Sequence, residues 1–348
     1  MSSITHMSFQ DFSLNGFLKR TRLYTLIVAE RRPLLFPMLI VLIVAVFASM
    51  ACGASGCDMD FYQREKILQL RWFRVSMACA IGALLSLSGA LLQLLLRNPL
   101  ADPYTLGISG GAAVGALLSG FFLPIGIVAV GMQVGSMLGA VASILLLFLM
   151  ARRRLFAPPT MVEAPGIGLI LTGVMIASGF GAIISLLLAL SPDAELRGAL
   201  FWLMGDLDVD SVSGLVWLVL LLAGGWSLWR APQLNLLAHG EATAHLLGVS
   251  VPRLRLQILL LASIATAAAV SVAGAIGFIG LVVPHVCRLV LGNDQRRLLP
   301  ASMLLGAAAL VLADLVARTI VAPIQLPVGV VTALIGVPVF LLILSRRI

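Results

Sequence analysis

The side chains that could do chemistry are few in this chain, and their spacing excludes more than it offers. Fifteen acids, four histidines and four cysteines are spread over 348 residues. There is no HExxH, no GxSxG and no Cys or His pair at metal-ligand spacing, so neither a zinc centre nor an activated serine is expected. The phosphate-cradling GxxxxGK[ST] is absent as well. The two lysines, Lys19 and Lys66, stand in no glycine-rich loop, and the chain is not expected to hydrolyse ATP by itself. No cofactor or metal is predicted. Asp314 is the acid nearest the middle of an apolar run, and Arg318 follows one helical turn later, which reads as an i,i+4 ion pair. His285 reads as a packed structural histidine, with a proton-linked role as the alternative. Cys52 and Cys57 flank Gly-Ala-Ser-Gly, a stretch that turns easily enough to bring two Cα atoms within bridging range. A disulfide is predicted there, two unpaired thiols being the alternative. Cys79 and Cys287 fall within apolar runs as buried thiols.

The elements that must position these residues are membrane helices. Hydrophobic side chains make up 60% of the chain and charged ones 11%, with a mean hydropathy of +1.09, far from the roughly 25% charge of soluble domains. Apolar runs occur at about 34–51, 75–96, 104–122, 125–150, 167–190, 212–229, 255–275, 276–291, 299–321 and 328–344. A span needs about 20 residues, so the expected fold is all-α and polytopic, with ten transmembrane helices and no extramembrane enzyme domain. Residues 1–32 lack a cleavable signal pattern and read as a cytoplasmic arm, and 33–348 as one transmembrane domain. With both termini inside, 17 of the 23 Lys and Arg fall on the cytoplasmic side and nine of the 15 acids outside, as the positive-inside rule requires.

Three segments between runs carry more than connection. Arg97-Asn98-Pro99-Leu100-Ala101-Asp102-Pro103 is a stiff knot, because each proline pushes the residue before it out of the helical region. The run after it, expected to start at Tyr104, carries Gly107, Gly110, Gly111 and Gly115, which let helix backbones approach closely. Ser191 to Asp210 predicts a short interfacial helix. Ala231 to Pro252 is an inside loop in which Gly240-Glu241 can start a helix and Gly248 can end it.

SGALLQLLLRNPLADPYTLGISGGAAVGA, ELRGALFWLMGDL, LLAHGEATAHLLGVSV, GAIGFIGLVVPHVCRLVLG and ADLVARTIVAPIQLPVGVVTALIGVPVFLLIL resemble the permease family of binding-protein-dependent ABC importers for iron-siderophores, haem and cobalamin. The resemblance extends over nearly everything after residue 70. It implies the type II ABC importer permease fold in a bacterial inner membrane, two permease copies as a homodimer, two cytoplasmic ABC ATPase subunits and a periplasmic substrate-binding protein. It further implies that 231–252 is the coupling loop, with Ala242, Ala244, His245, Leu246 and Gly248 at the ATPase contact. Arg71, Arg74 and Arg318 match the positions that dock the binding protein. This chain reads Arg-Trp-Phe-Arg where relatives usually have Arg-Leu-Pro-Arg. Asn98 and Leu100 match the turn that narrows the cytoplasmic end of the translocation path, with Met161 to Gly168 as its facing wall. A self-sufficient ion-coupled secondary transporter is the alternative reading, and an intramembrane enzyme a third.

Overall fold

The computed structural model describes residues 35–53, 65–122, 128–156, 165–207 and 213–345. The expected arm at 1–32, Cys57 and residues 161–164 lie outside them. Helices α1 (Leu35–Ala51), α2 (Glu65–Leu95), α3 (Ile108–Phe122), α4 (Val128–Leu155), α5 (Pro165–Leu190) and α6 (Asp193–Leu203) form the first part of the chain. Helices α7 (Ser213–Ala238), α8 (Glu241–Leu246), α9 (Val251–Ala273), α10 (Ile279–Leu291), α11 (Gln295–Thr319) and α12 (Val328–Ser345) form the second. Each apolar run has its helix, and α6 and α8 are the two short ones predicted between runs. Among the described residues α2, α4, α5, α7, α9 and α11 are long and apolar enough to cross a membrane, while α1, α3, α10 and α12 are apolar but shorter.

Helix α2 is the axis. Its 31 residues are about 47 Å long at 1.5 Å per residue, more than a ~30 Å hydrocarbon core, and 89% of its most apolar stretch is buried. Helices α7, α9, α10 and α11 pack around it. Close approach depends on paired glycines, since a Cβ at Gly82 would collide with the Gly306 carbonyl of α11 and one at Gly89 with the Gly280 carbonyl of α10. The second tight pair is α3 with α4. Gly111 and Gly115 face Gly135 and Gly139, two G-xxx-G stripes meeting backbone to backbone, and the Ser143 hydroxyl donates to the Gly107 carbonyl at 2.9 Å. Helix α5 is the opposite case, with only 6% of its apolar stretch buried, so that beyond its contacts with α3 and the 3-10 turn at Pro103–Leu106 most of it is left partly or fully exposed.

The structure departs from the expected boundaries in two places. The run expected to turn helical at Tyr104 opens instead with a single 3-10 turn, Pro103–Leu106, and α3 begins only after Gly107. Gly107 sits at φ +78°, where a Cβ would be strained and would also crowd Ile176 at 2.8 Å. Helix α7 continues through Pro232 to Ala238, so the inside loop expected from Ala231 is shorter by its first eight residues. Between α9 and α10, at the glycines of Gly-Ala-Ile-Gly-Phe, the chain runs non-helically from Gly274 to Phe278 and turns tightly at its end, the Ile279 N–H donating to the Gly277 carbonyl at 3.0 Å. Such backbone is tolerated at membrane depth only inside protein, and the Ile276 N–H is satisfied by the buried Tyr104 hydroxyl oxygen at 2.7 Å.

Candidate functional site

The residues singled out in the sequence gather at the two ends of α2. At its C-terminal end the knot is held by its own short side chains. Asn98 Oδ1 accepts from the Leu100 N–H at 2.9 Å, and Asp102 Oδ1 accepts from the Tyr104 N–H at 3.1 Å, capping the 3-10 turn. The Thr105 hydroxyl donates to the Asp102 carbonyl at 2.7 Å. Burial pushes the Asp102 carboxyl up to about 6, against the opposing pull of the Tyr104 N–H. Asn98 and Leu100 therefore share one rigid turn, and Leu100 is exposed. The knot is also clamped to α10, because Pro103 packs on Gly280 and Gln93 of α2 donates to the Leu281 carbonyl at 3.0 Å while accepting from Arg288 at 3.0 Å.

Near the same end lies α8, six residues between Gly240 and Gly248, the latter at φ +83°. Its last residue, Leu246, is 85% exposed, and Ala242 and His245 are exposed beside it. Ala244 differs from the expectation that placed it with them. It is fully buried against its own subunit, and its carbonyl accepts from the Val249 N–H at 2.9 Å, closing the loop on itself. Beneath it is a feature sequence reasoning missed. Glu241, the first residue of α8, meets Arg255 of α9 in a two-pronged ion pair, Nε to Oε1 at 3.0 Å and Nη2 to Oε2, with both side chains buried. An arginine inside an apolar run and an acid at the start of a capped helix were the available signals.

At the N-terminal end of α2, charge converges on Asp314 of α11. Arg74 Nε lies 2.8 Å from its Oδ1 and Arg318 Nε 2.9 Å from its Oδ2, with the acid fully buried. Arg74 also donates to Gln325 Oε1 at 3.0 Å and lies 3.6 Å from Asp206. Arg318 donates to the Ser49 hydroxyl of α1 at 2.6 Å. Arg71 caps α1 by donating to the Met50 and Ala51 carbonyls at 2.9 and 3.1 Å. With Trp-Phe in place of Leu-Pro, residues 71–74 stay helical and Trp72 and Phe73 face outward. Arg71 and Arg74 are half-buried here and Arg318 is 4% exposed, so the i,i+4 pair read from the sequence is present and Arg318 is turned inward. Cys52, close by, is disulfide-bonded, Cys79 and Cys287 are free, and the expected partner Cys57 lies outside the described residues. His285 is buried at the edge of the Phe340 ring, 6.3 Å between centroids, as a packed histidine would be.

This arrangement of helices has known counterparts, and residues 34–346 match the FecCD transport family. The chain belongs to the FecCD transport family. Among curated proteins it is similar to the cobalamin import system permease protein BtuC of Halobacterium salinarum, 42% identical over 284 residues, 80% of this chain and 73% of the relative. It is similar as well to the hemin transport system permease protein HmuU of Yersinia pestis, 37% identical over 335 residues, 89% of this chain and 94% of the relative. The solved structure of a metal-chelate type ABC transporter in an inward-facing conformation superposes with a TM-score of 0.79 at 32% identity, covering 91% of this chain and 99% of that one. As a FecCD member the chain is a multi-pass membrane transport permease, as its relatives are permease proteins of transport systems.

Proposed function

We propose that this FecCD permease is the membrane subunit of an ATP-driven ABC importer that moves a bulky metal chelate, haem, a ferric siderophore or cobalamin, into the cytoplasm. Beyond the family itself, the observation that carries the reading is α8. A nearly fully exposed leucine on a six-residue helix, fixed from below by a buried ion pair, is shaped to enter a groove on another protein. In this reading Leu246, His245, Ala242 and Gly248 meet an ABC ATPase, and Ala244 supports them from within. The six long and four shorter apolar helices together make ten spans, with both termini on the ATPase side. A second copy completes the path as a homodimer, with one ATPase below each. Asn98 and Leu100 form the constriction at the cytoplasmic end. At the other end the charge cluster around Asp314 presents Arg71 and Arg74 to carboxylates of a periplasmic binding protein, with Arg318 holding Asp314 in place behind them.

The test is uptake in proteoliposomes with the genomically adjacent ATPase and binding protein. Uptake of a chelate should require ATP and vanish when the ATPase is omitted. Leu246→Glu should abolish ATPase co-purification while leaving the permease folded. Uptake driven by an ion gradient without the ATPase would overturn the reading.

A further inference from the structure

A cleft of about 320 Å³ opens between the end of α7, the loop after α8 and the first turns of α9, lined by Arg230, Gln233, Gly248, Ser250, Arg253 and Gln257 among others. Its size is near the lower end of ligand sites, roughly 300 Å³. Unlike the apolar grooves along α4 and α5 and along α12, this one is lined mainly by polar groups and includes two arginines and no acid. Neither arginine forms an ion pair with an acid among the described residues. Arg230 is held ready: its guanidinium lies 4.4 Å from the Trp229 ring centroid and donates to Gln233 Oε1 at 2.8 Å, while its buried Nε has no hydrogen-bond partner. Because Gln233 spends its oxygen on Arg230, its amide N–H groups are the part left for a ligand. The Ser250 hydroxyl, at the N-cap of α9, makes no capping bond and is likewise uncommitted.

Two cations, Arg230 held in place and Arg253 exposed, that share a cleft lining with neutral donors and no acid are complementary to a tetrahedral oxyanion. The exposed Trp229 lies where the apolar stretch of α7 gives way to polar residues, the level at which tryptophan meets lipid headgroups. We propose that this cleft binds a phosphate group, with Arg230 and Arg253 supplying charge and Gln233, Ser250 and Gln257 supplying neutral hydrogen bonds. A phospholipid headgroup and a soluble phosphate share that chemistry. The inference stands on the cleft alone and does not depend on the transport reading.

The experiment uses the full-length permease in nanodiscs of equal phosphatidylglycerol and phosphatidylcholine, with retained lipid counted by native mass spectrometry, and inorganic phosphate titrated in detergent. For a headgroup, phosphatidylglycerol is retained over phosphatidylcholine, and Arg230→Gln or Arg253→Gln each lowers retention about tenfold, the scale of one charge-assisted contact. For a soluble ligand, inorganic phosphate binds saturably and the same variants abolish it without any lipid preference. Ser250→Asp places a carboxylate in the cleft at an N-cap position that welcomes aspartate, so it must mimic the arginine variants at an unchanged melting temperature. Equal retention of the two lipids together with no saturable phosphate binding overturns the proposal. So does binding of either probe that all three variants leave unchanged.

Discussion

Replacing Glu241 by Gln keeps the shape of the side chain and removes the charge that Arg255 faces. Both partners are buried, with side-chain exposures of 8% for Glu241 and 2% for Arg255, and breaking such a pair from one side costs about 3–5 kcal/mol because the remaining charge stays desolvated. The segment that gives way first is the small one. Helix α8 is held by a few backbone bonds, Ala244 N–H to Gly240 O at 2.9 Å, Leu247 N–H to Thr243 O at 3.1 Å and Val249 N–H to Ala244 O at 2.9 Å. If the penalty is relieved by opening this loop, a loss of ~3 kcal/mol corresponds to about two decades in the opening equilibrium. Hydrogen exchange in the intact permease should therefore show amides 244, 247 and 249 accelerated by roughly a hundredfold in Glu241→Gln, with amides in the middle of α2 unchanged. The double variant Glu241→Leu/Arg255→Met should restore most of the protection, since apolar replacement of a buried pair is often neutral. Exchange at these amides within about threefold of wild type in the single variant would refute the claim that the pair holds α8 down.

Gly115→Ala should destabilise the fold by about 1–3 kcal/mol, because its Cβ meets the Gly135 backbone and not a movable side chain, whereas Gly225→Ala, in open space on α7, should be neutral or stabilise; equal melting temperatures would refute the crossing geometry. Asp102 carries a carboxyl raised from 3.8 to about 6 in the fold, so its contribution favours the folded state below pH 4 and is lost as pH rises toward 6. Asp102→Asn keeps the acceptor for Tyr104 N–H and should flatten thermal stability over that window, and an unchanged slope would refute the assignment. Cys52 should resist alkylation in denaturant until reductant is added, while Cys79 and Cys287 react without it, as peptide mass spectrometry can show.

What was legible in the sequence was whatever depends on local chemistry. Two prolines four residues from one another marked the knot, glycines at four-residue spacing marked the α3 side of its crossing with α4, and Gly240 and Gly248 bounded α8. The departures come from groups satisfied at a distance. Helix α7 outlasts its apolar run because hydrogen bonding past Pro232 needs no greasy side chain, and Asn235 there is engaged, donating to Asp294 and accepting from the Gln295 N–H, both at 2.7 Å. The irregular stretch 274–278 is supported by Tyr104, 172 residues earlier, whose hydroxyl oxygen accepts from the Ile276 N–H. Arg255 looks in the sequence like one more cytoplasmic charge, and only the fold shows the acid it faces. Arg318 shows the reverse, where the i,i+4 spacing to Asp314 was visible and described its surroundings better than its match to a docking position did.

The partners of Arg74 carry a consequence for how the molecule is made. Asp314 is 240 residues further along the chain, and Gln325 is further still. When a ribosome has delivered α2 to the membrane, the carboxylate and amide that hold its Arg74 in the finished fold have not been made, and an arginine at that depth is favoured at the headgroup level. The α2 groove that receives Gly306 is likewise empty, because α11 has yet to be synthesised. The first-made long helix is thus completed by one of the last, and a chain stopped anywhere before α11 leaves Arg74 without Asp314 and Gln325 and an unfilled glycine seam on its central helix. Insertion of the central helix and completion of its packing are thus separated by more than 200 residues of synthesis.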